Sequence, residues 1–205
     1  MTPSYWKQAT KELAQNDIVL RDLIRCFKQE KIVSRGCAFT TLARSIVGQQ
    51  ISVKAAESFW QKVISNMTGF SPATILASQD ELLRSCGLSR QKVAYIRDLA
   101  RYFTNTSQPE CAWATFTDQA LIKELTQIKG IGRWTAEMFL IFHMQRPDVL
   151  PLDDIGLQRA ISRYYNDNQP VDKKKMNEIA LPWRPWRSVA TWYLWRALDP
   201  LPVEY

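Results

Sequence analysis

Apolar positions recur at spacings of three and four along most of the chain, and nothing resembles the strict alternation of a half-buried strand. That pattern predicts helices over Ser4–Gln15 and Ile18–Lys28, a break at Arg35-Gly36, and helices over Phe39–Gly48 and Val53–Met67. Ser52 is placed to cap the last of these, and the amides of Gln49 and Gln50 at that junction are placed to touch something outside. Ser71-Pro72 opens a short helix with Pro at its first position, and Ser78-Gln79-Asp80-Glu81 has the spacing of a capping box. After Ser89, one helical face carries Val93, Ile96, Leu99, Ala100 and Phe103, while Arg90, Lys92, Arg97 and Arg101 fall on a solvated side. Thr104–Thr117, with Pro109 inside it, reads as a loop. Asn166–Pro170 reads as a turn, Lys173-Lys174-Lys175 as a helix start, and Trp186–Leu198 as the last helix. No internal repeat or low-complexity linker interrupts this series, so an all-α fold is expected.

The most informative stretch is Leu121–Arg163, which divides into helix, tight glycine turn, helix, acidic loop and helix, the hairpin itself covering 121–145. A helical run stops at Gly130-Ile131-Gly132, and Trp134–Met144 is apolar enough for a buried helix, with His143, the only histidine, inside it. Uncovered amides at Gly130 and Gly132 face the start of that helix, where its dipole is positive and its first donors lack partners. Such a corner binds an anion, and Arg133 and Thr135 can add a charge and a hydroxyl to a phosphate site. A Cβ at residue 132 would stand where the phosphate approaches and oppose a positive φ. An ordinary turn between packed helices would carry the same glycines. With 19 residues between Trp134 and Asp154, the chain has room for a helix and a return loop that brings a carboxylate back near the corner.

Composition narrows the classes without choosing among them. The 205 residues suffice for one large or two small domains with a real core, and 27 Lys and Arg against 20 Asp and Glu, with a pI near 9.3, suit a polyanionic partner. Cys26, Cys37, Cys86 and Cys111 are scattered, with no CxxC and no iron-sulfur spacing, which fits reduced thiols and a cytoplasmic chain. No run of 18 apolar residues and no secretory signal is present, so neither membrane nor export is expected, and one histidine disfavours a zinc deaminase or nuclease.

Gly130-Ile131-Gly132-Arg133-Trp134-Thr135-Ala136, followed by Leu150-Pro151-Leu152-Asp153-Asp154, resembles the helix-hairpin-helix DNA glycosylases, and the GIGRWTA form most resembles the alkylation-repair branch, 3-methyladenine DNA glycosylase II. The likeness runs from about Phe39 to Ser188. It implies one domain over 1–205 made of two helical subdomains around a cleft, with the hairpin and Asp154 at its lip. Roughly 39–118 would be inserted between N-terminal helices and the C-terminal helices that complete the other subdomain.

The resemblance also implies roles. Asp154 aligns with the family's catalytic aspartate, opposing positive charge on the sugar as the N-glycosidic bond breaks. Read from residues alone, Asp154 is equally an N-cap for the helix from Ile155, a role Asp153 could take instead. The position of the Schiff-base lysine in bifunctional relatives is Trp134 here, implying a monofunctional enzyme in which water attacks the sugar. Trp134 and Trp195 match pocket aromatics that would stack on a cationic alkylated purine, and Met138 stands where the family often has Tyr. Gln50 matches the intercalating wedge that fills the gap left by a flipped nucleotide, although a capping amide at a helix junction would look the same. The carbonyls of Thr126, Ile128 and Ile131 match a site for a structural Na+ or K+, no cofactor being required for chemistry and no iron-sulfur cluster being expected. The implied partner is double-stranded DNA holding alkylated bases, met by a monomer in the cytoplasm, or at the nucleoid if the source is bacterial. Two other readings stay open: a glycosylase for mismatched or oxidised bases, and a non-catalytic helix-hairpin-helix DNA-binding module.

Overall fold

The computed structural model describes residues 2–28, 31–34, 36–106 and 109–198. Among them every regular element is helical, as the apolar spacing predicts. The first helices are α1 (Trp6–Asn16), α2 (Ile18–Cys26), α3 (Ala38–Gly48) and α4 (Val53–Ser65). Shorter pieces follow, α5 (Pro72–Ala77) and α6 (Asp80–Ser85), then the long α7 (Arg90–Asn105) and the short α8 (Pro109–Trp113). The hairpin helices are α9 (Asp118–Leu125) and α10 (Arg133–Phe142), and the chain continues through α11 (Ile155–Tyr165), α12 (Lys173–Ala180), a 3-10 turn at Leu181–Trp183 and α13 (Arg187–Leu198). The structure forms two compact units. One holds the described residues of Met1–Ser34 and Leu140–Glu204, the other those of Arg35–Phe139, so that the division falls inside α10.

In the first unit α13 packs on α1, α2 and α11, and it is buried over most of its circumference. A helix apolar all round must be central, and Val189, Ala190, Tyr193 and Leu194 are accordingly 2% exposed or less. Trp6 meets Trp192 edge-on at 5.3 Å, and Trp192 meets Tyr193 at 4.9 Å. Asp17 ties three pieces together. Its Oδ1 accepts the Leu20 amide and so caps α2, while Oδ2 accepts the Tyr165 hydroxyl and the Trp183 indole N–H, each at 3.0 Å. With burial and that carboxylate beside it, the Tyr165 phenol is pushed far above its ordinary pKa and stays a donor.

In the second unit α7 is the axle, packed against α3, α5 and α6 through Val93, Ile96, Leu99 and Ala100. Phe39, Phe70, Trp60, Phe103, Trp113 and Phe139 extend this core as a chain of edge and stacked contacts between 4.9 and 5.6 Å.

Several expectations are corrected. Thr104–Thr117 is not a plain loop, since α7 runs on to Asn105 and α8 forms beyond residues 107–108, which lie outside the described set, as does Arg35 of the expected break. The capping box belongs to Ser71 and Thr74, whose side chains each bond the other's backbone N–H; Ser78 instead ends α5. Arg97 is not solvated, because its guanidinium reaches Asp80 Oδ1 and the carbonyls of Ile75 and Ser78, bracing the junction of α5 and α6. α10 ends at Phe142, so His143 lies just past it.

Candidate functional site

The hairpin turn is built by short-range hydrogen bonds. Gln127 and Ile128 donate to Glu124 and Leu125, tightening the end of α9, and Ile131 donates to the Ile128 carbonyl at 3.0 Å. Lys129 N–H donates to Asp98 Oδ2 on α7 at 2.9 Å, which fixes the turn against the axle of its unit. Gly130 has φ +86°, and a Cβ there would run into the Tyr95 ring, so both conformation and packing demand glycine. Gly132 corrects the expectation: it is outside the left-handed region, and a Cβ on it would meet nothing of the protein within 4 Å. The second glycine leaves open space at the entrance to α10, the first shapes the turn.

Around this turn lies a recess of about 480 Å³, lined by Thr126–Gly132 together with Gln49, Gln50, Lys92 and Tyr95. Gln49 Nε2 donates to the Gly130 carbonyl at 2.8 Å, joining the α3–α4 loop to the hairpin. Gln50 is exposed and holds φ 60°, a conformation uncommon for a residue with a Cβ. Lys92, expected on a solvated face, instead turns its ammonium onto the carbonyls of Val47 and Gln49 at 2.7 and 2.8 Å. Burial holds its pKa below the ordinary lysine value. Pattern gives no sign of this, because Lys92 reads as one more charge on an amphipathic helix.

Of the other residues picked out near the turn, Arg133 is half exposed and bonded through Nε to Glu137 Oε1 at 2.9 Å, one turn along α10. Glu137 itself is 2% exposed, so Arg133 keeps a buried carboxylate paired while its guanidinium stays at the surface. Thr135 is 5% exposed and Met138 2%, whereas Trp134 is half-buried. Thr126, Ile128 and Ile131 share the recess, and their carbonyls are hard oxygen donors of the kind a monovalent cation takes. The described residues contain no group of three or more His, Cys, Asp or Glu able to hold a metal ion, and no helix long and apolar enough to cross a membrane.

The acidic loop is in the other unit. Asp154 has φ −77° and ψ 115° and is the N-cap of α11: its Oδ1 accepts the Leu157 amide at 2.6 Å. The same oxygen accepts the Trp195 indole N–H at 2.7 Å, and the residue as a whole is 8% exposed. Asp153 does not take the cap role. It precedes the helix by one residue too many, is exposed, and pairs with Lys173 Nζ at 2.5 Å. Trp195 also stacks on Phe142 at 5.8 Å and 15°. Gly156 stands beside the pair, where a Cβ would come within 3.1 Å of Asp154 Oδ1 and 3.3 Å of Trp195 Nε1. Gly156 was invisible to pattern reading, since its closeness to Trp195 exists only once α11 packs on α13.

Eight tryptophans sort by the same geometry. Trp6, Trp60, Trp113, Trp183 and Trp192 are buried. Trp186 stacks on Tyr5 and donates to Glu12, a structural clamp. Trp134 and Trp195 are likewise half-buried, and Trp195 is held by Phe142 and Asp154.

Residues 43–185 match the family of HhH-GPD superfamily base excision DNA repair proteins. The chain is 34% identical to DNA-3-methyladenine glycosylase 1 of Schizosaccharomyces pombe, over 85% of this chain and 78% of that one. Its fold is similar to that of a DNA-3-methyladenine glycosidase from Bacillus halodurans, with a TM-score of 0.83 and 33% identity over 93% of this chain and 89% of the other. It is also similar to S. pombe 3-methyladenine DNA glycosylase Mag1 in complex with abasic DNA, with a TM-score of 0.79 and 26% identity over 97% and 99% of the two chains. On this sequence and fold, the chain belongs to the HhH-GPD superfamily of base excision DNA repair proteins, within its DNA-3-methyladenine glycosylase branch.

Proposed function

We propose that the protein is a monofunctional DNA glycosylase that flips alkylated purines of the 3-methyladenine and 7-methylguanine type out of duplex DNA and hydrolyses their N-glycosidic bond. The observation that carries this reading is the Asp154 carboxylate, nearly buried and oriented by the Leu157 amide and the Trp195 N–H. Cleavage leaves the bonding electron pair on the departing base and builds positive charge at C1′ and the ring oxygen of the sugar. A fixed carboxylate opposes that charge, and a water adds at C1′, giving up a proton. An alkylated purine starts with a formal positive charge that the departing electron pair cancels, so the base leaves neutral and no strong general acid is needed. Trp134 and Trp195 supply indole faces on which such a cation gains roughly 0.5–2 kcal/mol.

Binding falls to backbone groups. The amides around Gly130 and Gly132, at the N-terminus of α10, take a phosphate beside the lesion, with Arg133 adding charge and Thr135 supporting the first turn. The carbonyls of Thr126, Ile128 and Ile131 are the residues that would hold a Na+ or K+, which would add positive charge to that corner. Gln50 enters the stack and fills the gap. Because a purine with no positive charge gains less from the indoles, oxidised and mismatched bases are the poorer substrates.

Release of 3-methyladenine and 7-methylguanine from methylated DNA, against excision from duplexes holding one 8-oxoguanine or one mismatched thymine, tests the reading. Alkylpurine release without action on the latter is the expected result. The reverse preference would overturn it, and DNA binding without any base release would make the chain a binding module.

A further inference from the structure

Three hydrogen bonds to carbonyls meet at the loop joining α3 to α4. Lys92, the third residue of α7, donates from Nζ to Val47 O and Gln49 O, and Gln49 donates from its side chain to Gly130 O. Just after these anchors stands Gln50 at φ 60°, and just after it Ser52 caps α4 by accepting the Ala55 amide. A left-handed residue with a Cβ costs on the order of 1 kcal/mol or more and persists only where its surroundings hold it. The bond to Val47 alone would be an ordinary cation on the last carbonyls of a helix. Gln49, however, lies past the end of α3, so the second bond fixes the peptide that leads into Gln50. Both contacts are charge-assisted hydrogen bonds from a half-buried ammonium.

We propose that Lys92 is a positioning residue for Gln50: it holds the strained loop so that the Gln50 side chain is presented ready to enter the base stack, while Gln49 locks that loop to the hairpin turn. The wedge and the phosphate anchor are thereby one preorganised body, and inserting Gln50 carries no further ordering cost for its backbone. The inference rests on Gln50 being the wedge, and the experiment separates the two claims.

The probe is a duplex holding one 7-methylguanine with 2-aminopurine as its neighbour, so that fluorescence at saturating protein reports unstacking and single-turnover kinetics reports excision. The variants are K92M, K92R, Q50A and K92M/Q50A, with K92Q standing in should K92M melt below the assay temperature. Hydrogen bonds from a charged donor are worth roughly 1.5–3 kcal/mol, or about tenfold and more in rate. K92M is expected to lose the fluorescence rise and about tenfold in excision, to add nothing further in the Q50A background, and to be largely rescued in K92R. Independent, multiplying losses in the double variant, or a K92M that unstacks the duplex as well as wild type, overturn the positioning role while leaving the wedge. A Q50A that unstacks and excises normally overturns the wedge and this inference with it.

Discussion

The indole N–H of Trp195 and the backbone amide of Leu157 donate to one and the same oxygen, Oδ1 of Asp154, at 2.7 and 2.6 Å. The aspartate that begins α11 is therefore both a helix cap and a carboxylate aimed by a tryptophan 41 residues further on, and substitutions can separate the two duties.

Asp154→Asn retains an oxygen for the Leu157 amide, and Asn caps a helix about as well as Asp, so the variant is expected to fold and bind DNA. Excision should fall by at least about 100-fold, the scale on which a preorganised electrostatic group acts. Single-turnover release of 7-methylguanine alongside a binding titration checks this, and near wild-type excision would remove Asp154 from the chemistry. Asp153→Asn gives the contrast. Its partner Lys173 is exposed, and such pairs contribute about 1 kcal/mol or less, so thermal stability and rate should both stay close to wild type.

Trp195→Phe keeps a ring against Phe142 but removes the N–H donor and part of the indole face. A hydrogen bond to a charged group is worth roughly 1.5–3 kcal/mol, so excision is expected to fall about tenfold while DNA affinity holds. Gly156→Ala should do similar harm by another route, its methyl pressing on Asp154 Oδ1 and the indole nitrogen. A Gly156→Ala enzyme with an unchanged single-turnover rate would show that the pair has room to move.

How far the sequence carries the reader depends on how local each feature is. Ser52 caps the helix that follows it as its sequence suggests, because a cap is decided within four residues. The hairpin was legible for the same reason: Gly130 and Gly132 sit beside the helix they open. α8 was missed because five residues opening on Pro109 leave no periodicity to read. Lys92 and Arg97 read as solvated from pattern alone, since their carbonyl and carboxylate partners are 17–45 residues away along the chain and only packing brings them close. The cap at Asp154 was ambiguous between adjacent acids, and one residue of register at the start of α11 decided it.

In the proposed monofunctional reading Trp134 takes the place of a Schiff-base lysine, and an indole cannot form an imine. Borohydride is accordingly expected to trap no covalent complex with lesion DNA, and abasic sites should accumulate intact until alkali or an endonuclease is added. Efficient trapping by the wild-type protein would show that another amine, with Lys129 the nearest in sequence, reaches the sugar.

The two glycines of the hairpin should separate folding from binding. Gly130→Ala must hold a left-handed residue and displace Tyr95, so it is expected to lose about 1–3 kcal/mol of stability, visible as a lower melting temperature, before any effect on DNA is considered. Gly132→Ala meets no protein atom, and as the residue before α10 it should change stability by about 1 kcal/mol or less. Its methyl instead occupies the space where a phosphate would approach the first amides of α10. Affinity is therefore expected to drop by a similar factor on lesion-bearing and undamaged duplex, because a phosphate contact positions the protein without reading bases. The substitution removes no side-chain charge, so the slope of log affinity against log salt should stay as in wild type, with the loss appearing as a constant offset. Titrations on both duplexes at several salt concentrations measure this, and a loss confined to lesion DNA would move Gly132 from the backbone anchor to the recognition of the damaged base.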